Sequence, residues 1–303
     1  MSNFAIFTDS SSNLSSEQLK EYGIADSLPM HIYINDVEYL VDRDWKQFTP
    51  KEYYDIVRSG ARFTSSQVSA AEYEEAFRKA LEEGLDVLSL SCCNALSGSV
   101  LESIAAKEKL QKEFPDRKIY CVDTYNCCYS LAMMVIEAAK KRDAGMSIDD
   151  VHRWVLDSRA YFNEAGTVEN LTYLRNAGRV SASAAFFGGL FSVKPMIVYD
   201  ETGHNVAIEK VRGRKTSLER SAEFVRDYAD IDANNNVCIA HADCEEDAKF
   251  VGEKIQSFFP DKKIHFHYGV VNMGVGSSVG PGTIILGFYG NPKIRELNKE
   301  NNQ

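Results

Sequence analysis

Residues 171–195, LTYLRNAGRVSASAAFFGGLFSVKP, decide how the rest of the chain is read. The stretch opens with helical spacing at Leu171 and Leu174. It breaks at Gly178, whose missing Cβ permits a positive φ or a close backbone approach. Ser181 or Ser183 can then cap a second, short helix over 184–191 that ends before Pro195. That helix is apolar on nearly every side, with small residues Ala184, Ala185, Gly188 and Gly189 beside Phe186, Phe187 and Phe191. Such a helix is either a connector buried on all faces or the wall of a space filled by something other than protein.

The chain around it has 303 residues, enough for two domains with ample core. Its 44% hydrophobic and 26% charged residues are those of an ordinary soluble protein. A net charge of −10 argues against nucleic acid, whose phosphates require a basic surface and counterion release. Phe4-Ala5-Ile6-Phe7 runs straight into Thr8-Asp9-Ser10-Ser11, so no signal peptide is visible. The longest apolar run, near 184–193, is too short to span a bilayer. A cytoplasmic chain without stable membrane insertion is expected. Of seven cysteines, Cys92-Cys93 and Cys127-Cys128 are adjacent pairs, no C-x-x-C occurs, and no histidine stands at zinc-ligand spacing. They read as free core or loop residues, with no metal and no cofactor.

In chain order, residues 4–7 read as a buried strand, and Ser15-x-x-Gln18 as a capping box whose helix Gly23 closes. Residues 30–41 suggest two strands around Asn35-Asp36. Thr49-Pro50-Lys51-Glu52 and Ser69-Ala70-Ala71-Glu72 are strong helix starts. Strand 85–90, helix 99–114, strand 118–122 and helix 126–141 then alternate, which predicts a parallel sheet with helices on both faces. Helix 148–159 hands the chain to a second α/β domain. That domain starts with a hairpin of 195–199 and 205–210, followed by helix 216–228, strand 237–240, helix 245–258 and strands 263–268 and 283–288. The expected division is 1–160, 161–290 and a polar, frayed tail over 291–303.

Hydroxyls gather where the first domain's strands end: Asp9-Ser10-Ser11, the loop 91–99 (SCCNALSGS) and Asp123-Thr124. Thr64-Ser65-Ser66-Gln67 joins them from a loop before a capped helix. Open α/β sheets bind ligands at such strand ends, and neutral donors with helix N-termini suit a carboxylate or phosphate. Each loop taken singly is equally served by serine's role in caps and turns. Gly276-Ser277-Ser278-Val279-Gly280 matches the G-x-S-x-G of a nucleophile elbow, but Pro281-Gly282 follows at once instead of a helix. Neither G-x-G-x-x-G nor a P-loop is present. Lys210, Arg212, Arg214 and Lys215 form the one dense basic cluster.

Taken in order, these segments resemble the DegV family, bacterial proteins that bind fatty acids. Asp9-Ser10-Ser11-x-Asn13-Leu14 is similar to the family's D-S-T-x-D-L, and Ser65-Ser66-Gln67-Val68-Ser69 to T-S-Q-P-S. Residues 93–99 fall on S-S-x-L-S-G-T, 171–195 on the Gly-Arg segment, 210–213 on the basic strand end, 241–243 on H-x-D and 278–283 on H-V-G-P-G-T. The resemblance implies a two-domain α/β fold, an N-terminal parallel sheet flanked by helices and a C-terminal mixed sheet. It further implies a non-enzymatic carrier holding a long-chain fatty acid between its domains for a separate fatty acid kinase, which phosphorylates the carboxylate. On the family's positions, Ser65, Ser66, Asn94 and Ser97 would hold the head group, with Arg212 and Ser278 near it. Ala184, Phe187, Gly188 and Phe191 would line the acyl chain. Burial of about fifteen methylenes at ~0.8 kcal/mol each is ample drive for such binding. The chain departs from the family at Ser278, a histidine there, and at Val68, Ser65 and Cys93-Asn94. A different reading is a serine-dependent hydrolase or phosphotransfer enzyme using Ser97, Ser278 or His241, which requires a base beside a serine.

Overall fold

The computed structural model describes residues 4–181 and 193–300. Its strands are β1 (Phe4–Asp9), β2 (Asp26–Leu28), β3 (His31–Ile34), β4 (Val37–Leu40), β5 (Phe63–Ser66), β6 (Asp86–Ser91), β7 (Ile119–Asp123), β8 (Phe162–Thr167), β9 (Val193–Tyr199), β10 (Asn205–Arg212), β11 (Asn236–His241), β12 (His265–Val270) and β13 (Ile284–Tyr289). The helices are α1 (Ser16–Glu21), α2 (Pro50–Arg58), α3 (Ala70–Glu82), α4 (Ser99–Glu113), α5 (Cys128–Asp143), α6 (Ile148–Ser158), α7 (Thr172–Ala177), α8 (Arg214–Tyr228), α9 (Glu245–Phe258) and α10 (Met273–Val279).

The alternation of strands and helices forms a parallel sheet in the order β2-β1-β6-β7. The capping boxes at Ser15, Thr49 and Ser69 all close as the sequence spells them, the side chain and the residue three positions on exchanging bonds. A second sheet is mixed, in the order β10-β9-β8-β13-β11-β12, with only β11 and β12 parallel. Between the two sheets lies α5. Leu131, Met134, Val135, Ala138 and Ala139 are buried on its several faces and share one core with Leu88 and Leu90 of the parallel sheet and Ile197 and Ile285 of the mixed one. A helix with apolar residues all round requires cover all round, and two sheets supply it. Gly287 permits the contact, because a Cβ there would stand 3.1 Å from the Ser130 nitrogen in the first turn of α5.

Three segments differ from their expected conformations. Residues 63–66 are not a loop: they pair with β3, Ser65 opposite Ile32 and Ser66 opposite His31, in a small antiparallel sheet β4-β3-β5. Four residues with one apolar side chain carry too little alternation to announce a strand. Strand β8, which follows α6, was likewise hidden, because all six of its residues, FNEAGT, are buried and several are polar. The tail is not frayed across its first ten residues. A 3-10 turn, Pro292–Glu296, and a short helix, Leu297–Glu300, follow β13, and Arg295 is only 2% exposed.

Arg295 draws distant parts of the chain together. It donates to the carbonyls of Phe162 (2.6 Å), Tyr125 (3.1 Å) and Asp200 (3.2 Å) and to the side-chain oxygens of Asn126 (2.8 Å) and Asn163 (3.4 Å). Those groups come from the loop after β7, from β8 and from the turn after β9. Removing the guanidinium leaves buried carbonyls without donors, each costing about 1–3 kcal/mol. Arg295→Ala is therefore expected to lower unfolding stability by ~3 kcal/mol or more, read from the midpoint of a denaturant titration at unchanged slope.

Candidate functional site

The strand-end loops are fixed from beneath by one acid. Asp9, at the end of β1, accepts the backbone N–H and the hydroxyl of Ser11 and the Cys92 N–H (2.8 Å), joining the ends of β1 and β6. Burial pushes its carboxyl pKa up, and these bonds partly offset that. Beyond β6 the chain turns back on itself, Leu96 and Ser97 each donating to the Cys93 carbonyl, before Gly98 opens α4.

The opposing wall depends on close approach. Asn272 caps α10 by accepting the Val275 N–H (3.0 Å), and Gly276 then lets this helix sit on α2. A Cβ on Gly276 would meet the Tyr54 hydroxyl at 2.5 Å. Tyr53 and Tyr54 donate to the carbonyls of Met273 (2.6 Å) and Val271 (2.7 Å). The small sheet carrying Ser65 is thereby held opposite α10, which carries Ser278.

These elements enclose a cavity between the two sheets with about 920 Å³ free of protein atoms, part of it open to solvent. Its inner walls are largely apolar, among them Leu174, Val168, Ile197, Val279 and Ile285. Ser65, Ser66 and Gln67 are exposed at its open end, and Ser97, Ser278 and Arg179 are half-buried beside them. Ser65, Arg179 and Ser278 also line an adjoining surface groove between α7 and the stretch from Gly60 into β5.

A family profile described as "uncharacterised protein, DegV family" matches residues 3–291. The chain belongs to the DegV family. A DegV domain-containing protein of Clostridium perfringens is 34% identical over 295 residues, covering 97% of this chain and 99% of the relative. One from Deinococcus radiodurans is 31% identical, covering 92% of this chain and 96% of its own. Among solved structures, a DegV-family protein from Thermus thermophilus described by its fatty acid binding superposes with TM-score 0.83. It is 25% identical and covers 95% of this chain and 100% of that one. A stearic acid-binding protein from Eubacterium ventriosum superposes with TM-score 0.82 at 22% identity, covering 96% of this chain and 99% of its own. The fold is that of DegV proteins, a parallel sheet with a mixed sheet. Among the described residues no helix is long and apolar enough to cross a membrane.

Of the head-group residues expected from the DegV resemblance, the structure brings Ser65, Ser66, Ser97 and Ser278 to one cavity. Asn94 and Arg212 do not line it. Asn94 is exposed on the loop after β6, with its backbone N–H on Asp123 (3.3 Å). On β10, Val211 faces the core and Arg212, one residue on, faces out, as strand alternation requires. The cation at the cavity is instead Arg179. Gly178 ends α7 in the left-handed region (φ 70°), and Arg179 follows directly, its Nε on the Leu96 carbonyl (3.2 Å). The sequence signal was an arginine placed just after a helix-stopping glycine in the stretch that decided the reading. Ala184, Phe187, Gly188 and Phe191 lie outside the described residues.

The G-x-S-x-G match falls inside α10 and is followed by a strand, the reverse of the strand–turn–helix an elbow needs. Ser277 donates to Gly274 O (3.1 Å), and Ser97 bonds Ser99 Oγ (3.0 Å). The His241 Nδ1 accepts the Cys244 N–H (3.3 Å). Among the described residues these bonds provide no serine with a base.

Sequence reasoning missed one further residue. Glu164 on β8 is buried in the cavity wall and accepts the Tyr199 hydroxyl at 2.6 Å. Burial pushes its carboxyl pKa up to about 8, against the smaller downward pulls of Tyr199, Arg295 and Ser130. The folded state thus keeps a proton that the unfolded chain, with an ordinary value of 4.5, releases. Its contribution to stability is full below pH 4.5 and is lost as the pH rises through about 8. Glu164→Gln cannot titrate. The stability difference between wild type and this variant is expected to move against wild type between pH 5 and pH 8 in denaturant titrations. A difference that stays flat would show that the acid is ionised throughout.

Proposed function

We propose that this DegV-family chain holds a long-chain fatty acid in the cavity between its two sheets and presents the carboxylate at the open end to a separate fatty acid kinase. The observation that carries the reading is the polarity of the cavity: apolar walls inside, and hydroxyls with one arginine where it opens. An acyl chain is driven in by ~0.8 kcal/mol for each methylene removed from water. Its carboxylate stays at the end where Arg179 offers a permanent charge and Ser65, Ser97 and Ser278 offer hydroxyls. Support also comes from the Thermus thermophilus protein, described by its fatty acid binding at 25% identity and nearly full coverage.

The kinase role follows from the resemblance and from where the head group would lie. Exposed Ser65 and Ser66 leave the carboxylate within reach of a partner docked at the mouth. A carboxylate oxygen would attack the terminal phosphorus of the partner's nucleoside triphosphate, expel the diphosphate and leave an acyl phosphate on the carrier. A serine at 278, where the family has a histidine, transfers the task of countering negative charge to Arg179.

Mass spectrometry of lipid extracted from the purified protein is expected to find a fatty acid in stoichiometric amount; an empty protein that hydrolyses esters would favour the enzyme reading. One hydrogen bond to a charged group is worth ~1.5–3 kcal/mol, so Ser65→Ala or Ser97→Ala should weaken fatty acid binding roughly tenfold or more. Arg179→Ala should weaken it further and abolish acyl phosphate formation with the cognate kinase, whereas Ser278→Ala and Arg212→Ala should affect both only mildly. Normal phosphorylation of the Arg179→Ala protein would move the head group elsewhere.

A further inference from the structure

The open end of the cavity is partly formed by a connection whose two ends meet at one histidine. Ser65, Ser66 and Gln67 line the cavity, and the chain then passes through Val68 to Ser69, the N-cap of α3. His31 on β3 stands opposite Ser66 in the strand pairing, at one end of this connection. Its Nε2 lies 3.0 Å from Oε1 of Glu72, at the other end. Glu72 closes the capping box, its Oε2 accepting the Ser69 N–H (2.8 Å) and hydroxyl (2.6 Å). Met30, next to His31, also lines the cavity.

The other ring nitrogen is engaged in the same way. His31 Nδ1 lies 2.7 Å from Oε1 of Glu38 on β4, an oxygen that also accepts the Tyr33 hydroxyl at 3.0 Å. A neutral imidazole carries one N–H and can donate to only one of the two carboxylates. Both acids are surrounded by donors, as ionised carboxylates are, so the ring that fits between them is the imidazolium, with a hydrogen on each nitrogen. Burial pulls the His31 pKa down, but the bonds and charges of Glu72 and Glu38 outweigh it and leave the value above the ordinary 6.5. Among the described residues, Glu38 from β4 and Glu72 from α3 are the charged groups facing the ring, and β5 presents the neutral Ser66. With its side chain 21% exposed, the cation is partly shielded from solvent.

We propose that His31 is a positioning residue for the ligand's head group, holding the 66–69 connection by both ends as an imidazolium, so that fatty acid binding weakens as the pH rises. When the ring gives its proton to solvent, one of its two bonds is lost and the other loses its charge. The hydroxyls of Ser65 and Ser66 are then held less firmly. The effect is fully present below pH 6.5 and is lost as the pH rises through the histidine's raised value. The inference rests on the carrier reading above and adds regulation by pH to it.

The test is fluorescence titration of delipidated wild type, His31→Gln and His31→Arg with an eighteen-carbon polyene fatty acid between pH 6 and pH 9. Wild type is expected to bind about threefold to tenfold more tightly than His31→Gln at pH 6, the scale of partly exposed ion pairs, and to converge on it at pH 9. His31→Arg, a permanent cation with donors for both acids, should keep the tight binding across the range. Glu164 titrates in the same window, but it is common to all three proteins, so their ratios isolate the histidine. A ratio of wild type to His31→Gln that does not change with pH would overturn the inference and leave the carrier reading standing. Absence of binding by every protein would refute both. Where a variant fails to fold, an NMR titration of the His31 ring in wild type decides the matter, because the coupling of proton and ligand is reciprocal. Bound fatty acid should raise the ring's midpoint by about 0.5–1 in pH, the same threefold to tenfold, and an unchanged midpoint would sink the inference.

Discussion

The burial of α5 between two sheets is the constraint on which the rest depends. A helix with Leu131, Met134, Val135 and Ala138 on its several faces cannot face water anywhere along its middle. The parallel sheet covers one side and the mixed sheet the other, so the two halves of the chain share a core. The ends of that contact are then settled in space. Cys127 at the N-cap of α5, Ser11 and Cys92 just past the ends of β1 and β6, and residues of β8, β9 and β13 all border one cavity. The cavity lies beside the N-terminal end of that helix, where the two sheets continue past it.

Three devices shape that gap. Asp9 ties the β1 and β6 loops together by backbone bonds, so that Ser11 and Cys92 form a fixed floor. Gly276 lets α10 approach Tyr54, and the tyrosine hydroxyls of α2 take up carbonyls that the turn into α10 leaves unpaired. Arg295 gathers carbonyls from the loop after β7, from β8 and from the turn after β9, and so joins the strands behind the cavity's Tyr199 and Glu164. In each case a buried polar group is tolerated because it is fully partnered. The cavity's polarity follows the same rule: charge sits at the solvent end in Arg179, and burial pushes the Glu164 carboxyl pKa up to about 8.

The departures from the family pattern gain sense from this arrangement. A serine at 278 and a serine at 65 keep hydroxyls on both sides of the mouth but bring no charge there. Arg179 brings it, on a backbone whose direction is set by Gly178 and by Asn205, which donates to the Arg179 carbonyl at 3.0 Å. That the cation comes from the Gly-Arg segment, and Arg212 points away from the cavity, is decided by which face of β10 is inward.

Much of the fold was legible because its signals are local. Capping boxes at Ser15, Thr49 and Ser69, the left-handed pair Asn35-Asp36 and alternating strands and helices each depend on neighbours within a few residues. The ordered motifs also identified the family and four serines of the mouth. Three features were not written locally. Strand β8 carries Glu164 and Asn163 on a fully buried run, so neither alternation nor composition marks it. Ser65 and Ser66 form a strand only because β3 offers an edge to pair with. Arg295, in a segment that reads as a polar tail, becomes a buried keystone only after β8 and two loops have brought their carbonyls to it. The sequence by itself determined most of the elements, their caps and the hydroxyls available at the strand ends. Which of those side chains share one cavity, which arginine lies at it and which acid is buried in its wall were decided by tertiary packing, because burial and long-range hydrogen bonding are properties of the assembled neighbourhood and not of any stretch of chain.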